Sequence, residues 1–195
     1  STLFPYTTVF RSSMNGFVEG PNGESDWIGK TRSAAGAAWL TERIGQAEAH
    51  LLGRKAFTEL SGFWPSAKGP LADAMNNIPK IVFSKKGFTP SKVGDGQTVA
   101  ARTWSEPLVL TGDLAKEITE LKKKSGKILV AHGGVSFAQN LVQTGLVDEF
   151  WLAVHPVALG RGQNLFANLK SPVDLKLESS TVFETGAMAN VYTVK

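Results

Sequence analysis

The chain has 195 residues, 42% hydrophobic and 19% charged, which suits one globular domain large enough to bury a real core. It has no cysteine, which excludes disulfides, thiolate metal sites and thiol nucleophiles, and its three histidines are too widely spaced to suggest a metal centre. No apolar run approaches the roughly 20 residues that span a bilayer, so no membrane segment is expected and the cytoplasm is the expected compartment.

The chain opens on an unusual stretch. Thr2–Ser12 (TLFPYTTVFRS) resembles the in-frame translation of a common sequencing adapter, differing only at Val9. Natural coding is therefore expected to begin near Ser13 or Met14, with residues 1–12 a non-native segment and residues 13–195 a single domain. Thr7, Val9 and Phe10 nevertheless have strand propensity. Residues near Tyr6–Ser12 are thus expected to serve as a first strand, with Pro5 at its beginning.

Gly16–Asp26 is rich in Gly, Pro and Asn and reads as a loop. Residues 32–48 carry a helical apolar face through Ala34, Ala37, Ala38, Leu40, Ile44 and Ala47. Ala49–Leu52 reads as a strand ending at Gly53, and Lys55–Leu60 begins another helix. Lys80–Ser84 and Pro107–Thr111 are strands. Asp113 caps a helix to about Lys124, whose Lys122–Lys124 run reads as a solvated end with cations favoured at a helix C-terminus. Lys127–Ala131 is apolar throughout, as in a central parallel strand, and Gly133-Gly134 open a helix. Glu149–Val157 is the next strand, and Leu175–Val182 with Ala189–Val194 form a closing antiparallel pair around Gly186. The fold class is α/β: a mostly parallel central sheet, helices on both faces and a C-terminal antiparallel hairpin.

Three segments suggest an anionic ligand. In the first, Gly53 leads a strand into a helix, and Arg54 and Lys55 stand beside Ala56 at that helix start, where backbone N–H groups favour phosphate. In the second, Gly133 and Gly134 precede Val135 and Ser136, and unhindered N–H groups there suit a pyrophosphate. In the third, Ser84 and Lys85 follow a strand and offer charge-assisted donors to a 2′-phosphate. Each segment alone also fits an ordinary turn or strand end; together they point to NADPH. Asp148 and Glu149, adjacent on a strand, face opposite ways and cannot share one substrate atom. Trp27, beside the loop, is a candidate stacking ring, and Asp26 a candidate acid or plain helix cap.

The order of these segments resembles the dihydrofolate-reductase-like superfamily. In particular it is similar to stand-alone proteins like the C-terminal reductase domain of the bifunctional riboflavin deaminase–reductase. The residues that carry the resemblance are Ser13–Gly20, Asp26-Trp27, Leu52–Arg54, Pro79–Ser84, Gly133-Gly134, Gly145–Phe150, His155–Gly162 and Leu165-Phe166. It implies that the Gly53-Arg54 and Gly133-Gly134 segments hold NADPH, and that Ser84 lies near the adenosine phosphate. It also places Asn15, Gly16 and Phe17 in an active-site loop and implies a homodimer. Three residues depart from the pattern: Ala56 where many relatives have Thr, Asn15 where many have Asp, and His132 where a small residue is usual.

The expected activity is hydride transfer from NADPH to a small polar carbonyl, imine or ribosylaminopyrimidine-type substrate. Asp26 and Trp27 are the candidate catalytic residues. The alternatives are an NADPH-binding protein of the same fold without efficient turnover, or a dihydrofolate reductase. The last is disfavoured because residues 30–40 contain no Asp or Glu to serve a pterin ring. No nucleic-acid partner is expected, since basic and aromatic residues do not interleave.

Overall fold

The computed structural model describes residues 6–94 and 96–195. Its ten strands are β1 (Tyr6–Ser13), β2 (Phe17–Glu19), β3 (Ala47–Gly53), β4 (Lys80–Phe83), β5 (Leu108–Leu110), β6 (Ile128–His132), β7 (Glu149–His155), β8 (Gln163–Asn164), β9 (Leu175–Val182) and β10 (Met188–Val194). Its α-helices are α1 (Ala34–Ile44), α2 (Arg54–Ser61), α3 (Pro70–Asn77), α4 (Val99–Ser105), α5 (Leu114–Lys124) and α6 (Val135–Gln143). Eight strands form one sheet in the order β5-β4-β3-β6-β1-β7-β10-β9, and β2 pairs with β8 apart from it. Six neighbouring strands, β5 through β7 in that order, run parallel, and β10 and β9 close the sheet as an antiparallel pair.

Successive strand residues point to opposite faces, so doublets of large apolar residues build two cores at once. Leu51, Leu129 and Phe150 meet Ile118 of α5 and Leu141 and Val142 of α6 on one face. Leu52, Val82, Val130 and Trp151 meet Ile44 of α1, Phe57 of α2, Met75 of α3 and Trp104 of α4 on the other. The expected layers, two sets of helices around one sheet, are present. No helix among the described residues is long and apolar enough to cross a membrane.

Local boundaries correct several expectations. The helix expected over residues 32–48 is shorter. Ser33 caps it by accepting from the Gly36 N–H at 3.0 Å, Gly45 ends it, and Ala47 already begins β3. Alanine suits either structure, so its spacing alone could not mark that boundary. The helices α3 and α4 answer to no sequence reading. Asp113 caps α5 as expected, accepting from the Lys116 N–H at 3.0 Å.

Lys122 is not part of a solvated run. It is buried at 8% exposure, and its ammonium holds Asp148 at 2.7 Å and donates to the Leu146 carbonyl. Lys123 and Lys124 do face solvent. Glu149 instead accepts from the Trp151 indole N–H, so the two adjacent acids serve separate partners.

β1 lies between β6 and β7, in register from Tyr6–Leu129 to Val9–His132 on one side and from Thr7–Glu149 to Ser13–His155 on the other. The expectation for Pro5 falls outside the described residues. Thr7 and Thr8 are 0% exposed, and neither hydroxyl has a hydrogen-bond partner among the described residues. A buried unpaired hydroxyl costs about 1–3 kcal/mol, and valine has the same shape without it. Thr7→Val and Thr8→Val are each expected to stabilise the protein by about 1 kcal/mol in denaturant titration. A lower midpoint for both variants would show that the hydroxyls are satisfied in solution.

Candidate active site

Parallel strands end on one edge of the sheet, and the loops and helix starts beyond that edge leave a crevice, the usual ligand position in open α/β folds. Here two cavities open along it. The larger, 460 Å³, lies over the ends of β3, β4 and β5 and is lined by Gly53, Arg54, Lys55, Ala56, Ser84, Lys85, Gly134, Val135 and Ser136 among others. The smaller, 280 Å³, lies over β1 and β6 and is lined by Arg11, Ser25, Ile28, His132 and Gly133 among others. Glu19, Ala56, Glu59, Gly134 and Val135 line both. The crevice is therefore continuous, with a cationic end over β3 to β5 and, over β6 and β1 in the middle of the sheet, an inner chamber.

Nine of the ten residues expected to hold the cofactor come together on the larger cavity, and Gly133, the tenth, lines the smaller one. They arrive from three directions. α2 brings Arg54, Lys55 and Ala56, the end of β4 brings Ser84 and Lys85, and the start of α6 brings Val135 and Ser136. Lys55 is highly exposed and meets Glu59 only at 3.9 Å, a weak pair that leaves its charge available. The Ser84 hydroxyl donates to the Gly87 carbonyl at 3.1 Å, so it must turn to donate to a ligand. Stacked Phe83 and Phe137, with ring centres 5.3 Å apart, form an apolar floor.

The glycines have distinct jobs. Gly133 and Gly134 have φ of +23° and +84°, and a Cβ on Gly133 would meet only open space. That leaves backbone N–H groups accessible at the start of α6, a fit for a pyrophosphate. Gly53 differs. A Cβ there would stand 2.8 Å from Cβ of Phe137, so close packing of β3 on α6 is what demands glycine, not approach to a phosphate.

The residues expected at the substrate end do not gather. Trp27 is 6% exposed, packs edge-on to His155 at 5.5 Å and lines neither cavity, so its ring is core rather than a stacking platform. Asp26 is exposed at the start of a 3-10 turn and also lines neither cavity, while Ser25 and Ile28 on either side of this pair do. Asn15 ties two loops together, donating to the Leu159 carbonyl at 2.6 Å and accepting from the Leu159 N–H and the Ser13 hydroxyl. Gly16 (φ +87°) makes the turn and Phe17 opens β2; both pack near Asn164 and Gly162 and line neither cavity.

Sequence reasoning missed three residues that do face the crevice. Glu19, on β2, has its carboxyl pushed above the ordinary value, chiefly by burial. Arg11, exposed on β1, contributes a cation to the wall of the smaller cavity. His132, at the end of β6, completes the wall. The period-2 alternation of β1 places Arg11 on the face of Val9, a signal that was available. Glu19 lay inside a segment read only as loop.

His132 does not stand alone. Its Nε2 lies 2.8 Å from Nδ1 of His50, whose own Nε2 lies 3.0 Å from the Ala74 carbonyl. Burial lowers the pKa of both imidazoles, that of His50 to about 4, and the buried ammonium of Lys80 lowers both further. Lys80 donates to the carbonyls of Asn76 and Ile78 and to the Thr103 hydroxyl, 4.5 Å from the Trp104 ring centre.

The RibD C-terminal domain family matches residues 6–189. The chain is 31% identical over 180 residues to an uncharacterized protein, YyaP, of Bacillus subtilis, covering 92% of this chain and 89% of that one. Among solved structures it is similar to a putative riboflavin biosynthesis protein from Shewanella sp. PV-4, with TM-score 0.73, 23% identity and 98% and 99% of the two chains covered. It is also similar to dihydrofolate reductase from Enterococcus faecalis complexed with NADP(H), with TM-score 0.60, 17% identity and 98% and 96% covered. A third likeness is to a deaminase/reductase from Thermotoga maritima, with TM-score 0.69 and 16% identity, where the match takes 98% of this chain but 57% of that one. The sheet is thus the dihydrofolate-reductase-like sheet, and by the extent of its match the chain belongs to the RibD C-terminal domain family.

Proposed function

We propose that this protein is an NADPH-dependent reductase acting on a small polar C=O or C=N substrate, with a ribosylaminopyrimidine as the nearest candidate class. The observation that carries this reading is the continuous crevice, whose cationic end gathers Arg54, Lys55, Ser84 and Lys85 and whose inner chamber shares Glu19 and Gly134 with it. The groups at the cationic end suit a phosphate, the Gly133-Gly134 backbone suits the pyrophosphate, and the shared region suits the ring that meets the substrate. When bound, NADPH supplies the hydride.

The chain's own residues do the rest. Arg54, Lys55 and Lys85 offset the phosphate charge, and Leu40, Ile44 and Met75 give the inner chamber an apolar wall for a substrate ring. Glu19, with its pKa raised by burial, holds a proton to higher pH than an ordinary carboxyl and can give it to the substrate atom that gains charge.

Fluorescence titration with NADPH and NADH, followed by NADPH oxidation over a panel of carbonyls, imines and pyrimidines, tests the reading. Arg54→Ala is expected to weaken NADPH by about 1–3 kcal/mol, roughly 5- to 150-fold, and NADH much less. An equal loss for both would mean that Arg54 reads a group they share. Tight binding with no turnover on any substrate would favour a cofactor-binding protein instead.

A further inference from the structure

The His132–His50 pair bears on what the inner chamber accepts. A backbone carbonyl only accepts, so His50 must donate to Ala74 from Nε2–H. In the neutral ring that leaves His50 Nδ1 as an acceptor, and His132 must donate to it from Nε2–H. His132 Nδ1 is then a bare lone pair. No hydrogen bond reaches it from the described residues, and it belongs to a half-buried side chain that lines the smaller cavity. The one reversal that would place a proton on it requires Ala74 to donate, which a carbonyl does not do.

We propose that His132 is a specificity-determining residue: its Nδ1, fixed as an acceptor by the chain His132–His50–Ala74, selects ligands that present an N–H or O–H donor to the inner chamber. This rests on the reading that the smaller cavity is the substrate's. It also separates two roles, because a locked acceptor cannot supply the proton of the reduction and leaves that to another group. The cationic neighbours Arg11 and Lys80 and the second imidazole, His50, all oppose a proton on His132 and so hold the acceptor form. A ligand with a methyl where the donor should be would leave that lone pair desolvated and unpaired.

Histidine-selective 15N labelling reads the ring protons directly. At neutral pH, His132 is expected to show a bare Nδ1 and a protonated Nε2. The probes are 2-pyrrolidinone, which offers a lactam N–H, and N-methyl-2-pyrrolidinone, which offers none. The first should move the Nδ1 resonance and bind at least about 10-fold more tightly than the second, as expected where a site built to pair a polar group meets an analogue lacking it. In His132→Leu that ratio should fall to about one. In His50→Phe, which removes the acceptor holding Nε2–H, both ring forms should populate and the ratio should drop part-way. A proton on Nδ1 in the unaltered protein, equal affinity for the two lactams, or no binding by either overturns the assignment. An NADPH titration run alongside keeps the two readings apart. Failure to bind NADPH overturns the reductase reading, while the lactam comparison still stands or falls by itself.

Discussion

Removing residues 1–10 is expected to unfold the protein. The segment looks dispensable in the sequence, since it resembles adapter-derived coding, yet it supplies most of β1 at the centre of the sheet. Its loss strips the whole β1 register from β6, Tyr6–Leu129 to Val9–His132, and the Thr7–Glu149 to Phe10–Leu152 part from β7. Each buried backbone group left without a partner costs about 1–3 kcal/mol. Phe10 is buried in the core of the α5–α6 face, and losing it adds about 2–3 kcal/mol. Total stabilities of about 5–15 kcal/mol do not survive several such losses. Circular dichroism melts of the truncated and full chains check this. A truncated protein that melts cooperatively within about 2 °C of the full chain would show that β1 contributes nothing to the fold.

Stability is expected to fall steeply as pH drops from about 6.5 towards about 4. An unfolded histidine takes its proton near 6.5, whereas His50 in the folded protein holds off to about 4 and His132 also titrates well below its ordinary value. Between those limits the unfolded state binds more protons, so stability present above 6.5 is lost on acidification. At about 1.4 kcal/mol per pH unit, His50 alone accounts for on the order of 3 kcal/mol. Protonation of His50 also sets donor against donor, because an N–H on its Nδ1 would face the Nε2–H of His132. The lowered carboxyls of Glu24, Glu120 and Glu178 act below the ordinary carboxylate value and the raised one of Glu19 opposes the loss, so the fall in the upper part of the window belongs to histidine. Urea midpoints measured between about pH 7 and about pH 4.5 test this, with His50→Leu as the control. A flat profile, or an undiminished slope in the variant, would remove His50 from the account.

Much of the frame was legible in the sequence, for physical reasons. Ile128–Ala131 is buried on both faces, and such strands have to be apolar throughout, so β6 announced itself. Asp113 announced the start of α5. The cationic end of the crevice was legible because glycine, lysine and arginine cluster at strand-to-helix junctions, where their chemistry is local. The other end was not. Glu19 and His132 come from strands distant in sequence, and what makes them notable is burial and a neighbour, neither of which shows in a residue's letter. His132 was noted only as a departure from the family pattern; its partner His50 adjoins it through the β3–β6 pairing, where His50 stands opposite Val130. Trp27 misled in the opposite way, since a tryptophan beside a loop and a tryptophan in a core look alike until packing is seen.

The position of β1 also bears on the order in which this protein becomes itself. Among the strands of the sheet β1 stands earliest in the sequence, but both of its neighbours, β6 and β7, belong to the later part of the chain. β3, β4 and β5 pair among themselves and are complete before either neighbour exists. The newborn Thr7-Thr8-Val9-Phe10 segment must therefore wait with both edges open, the condition in which apolar strands pair with the wrong chain. Closure of the sheet is then a long-range event that sets the pace of folding. A protein built this way depends on how quickly its last strands follow its first, and slow translation downstream of α5 prolongs the interval in which the nascent chain is exposed to aggregation.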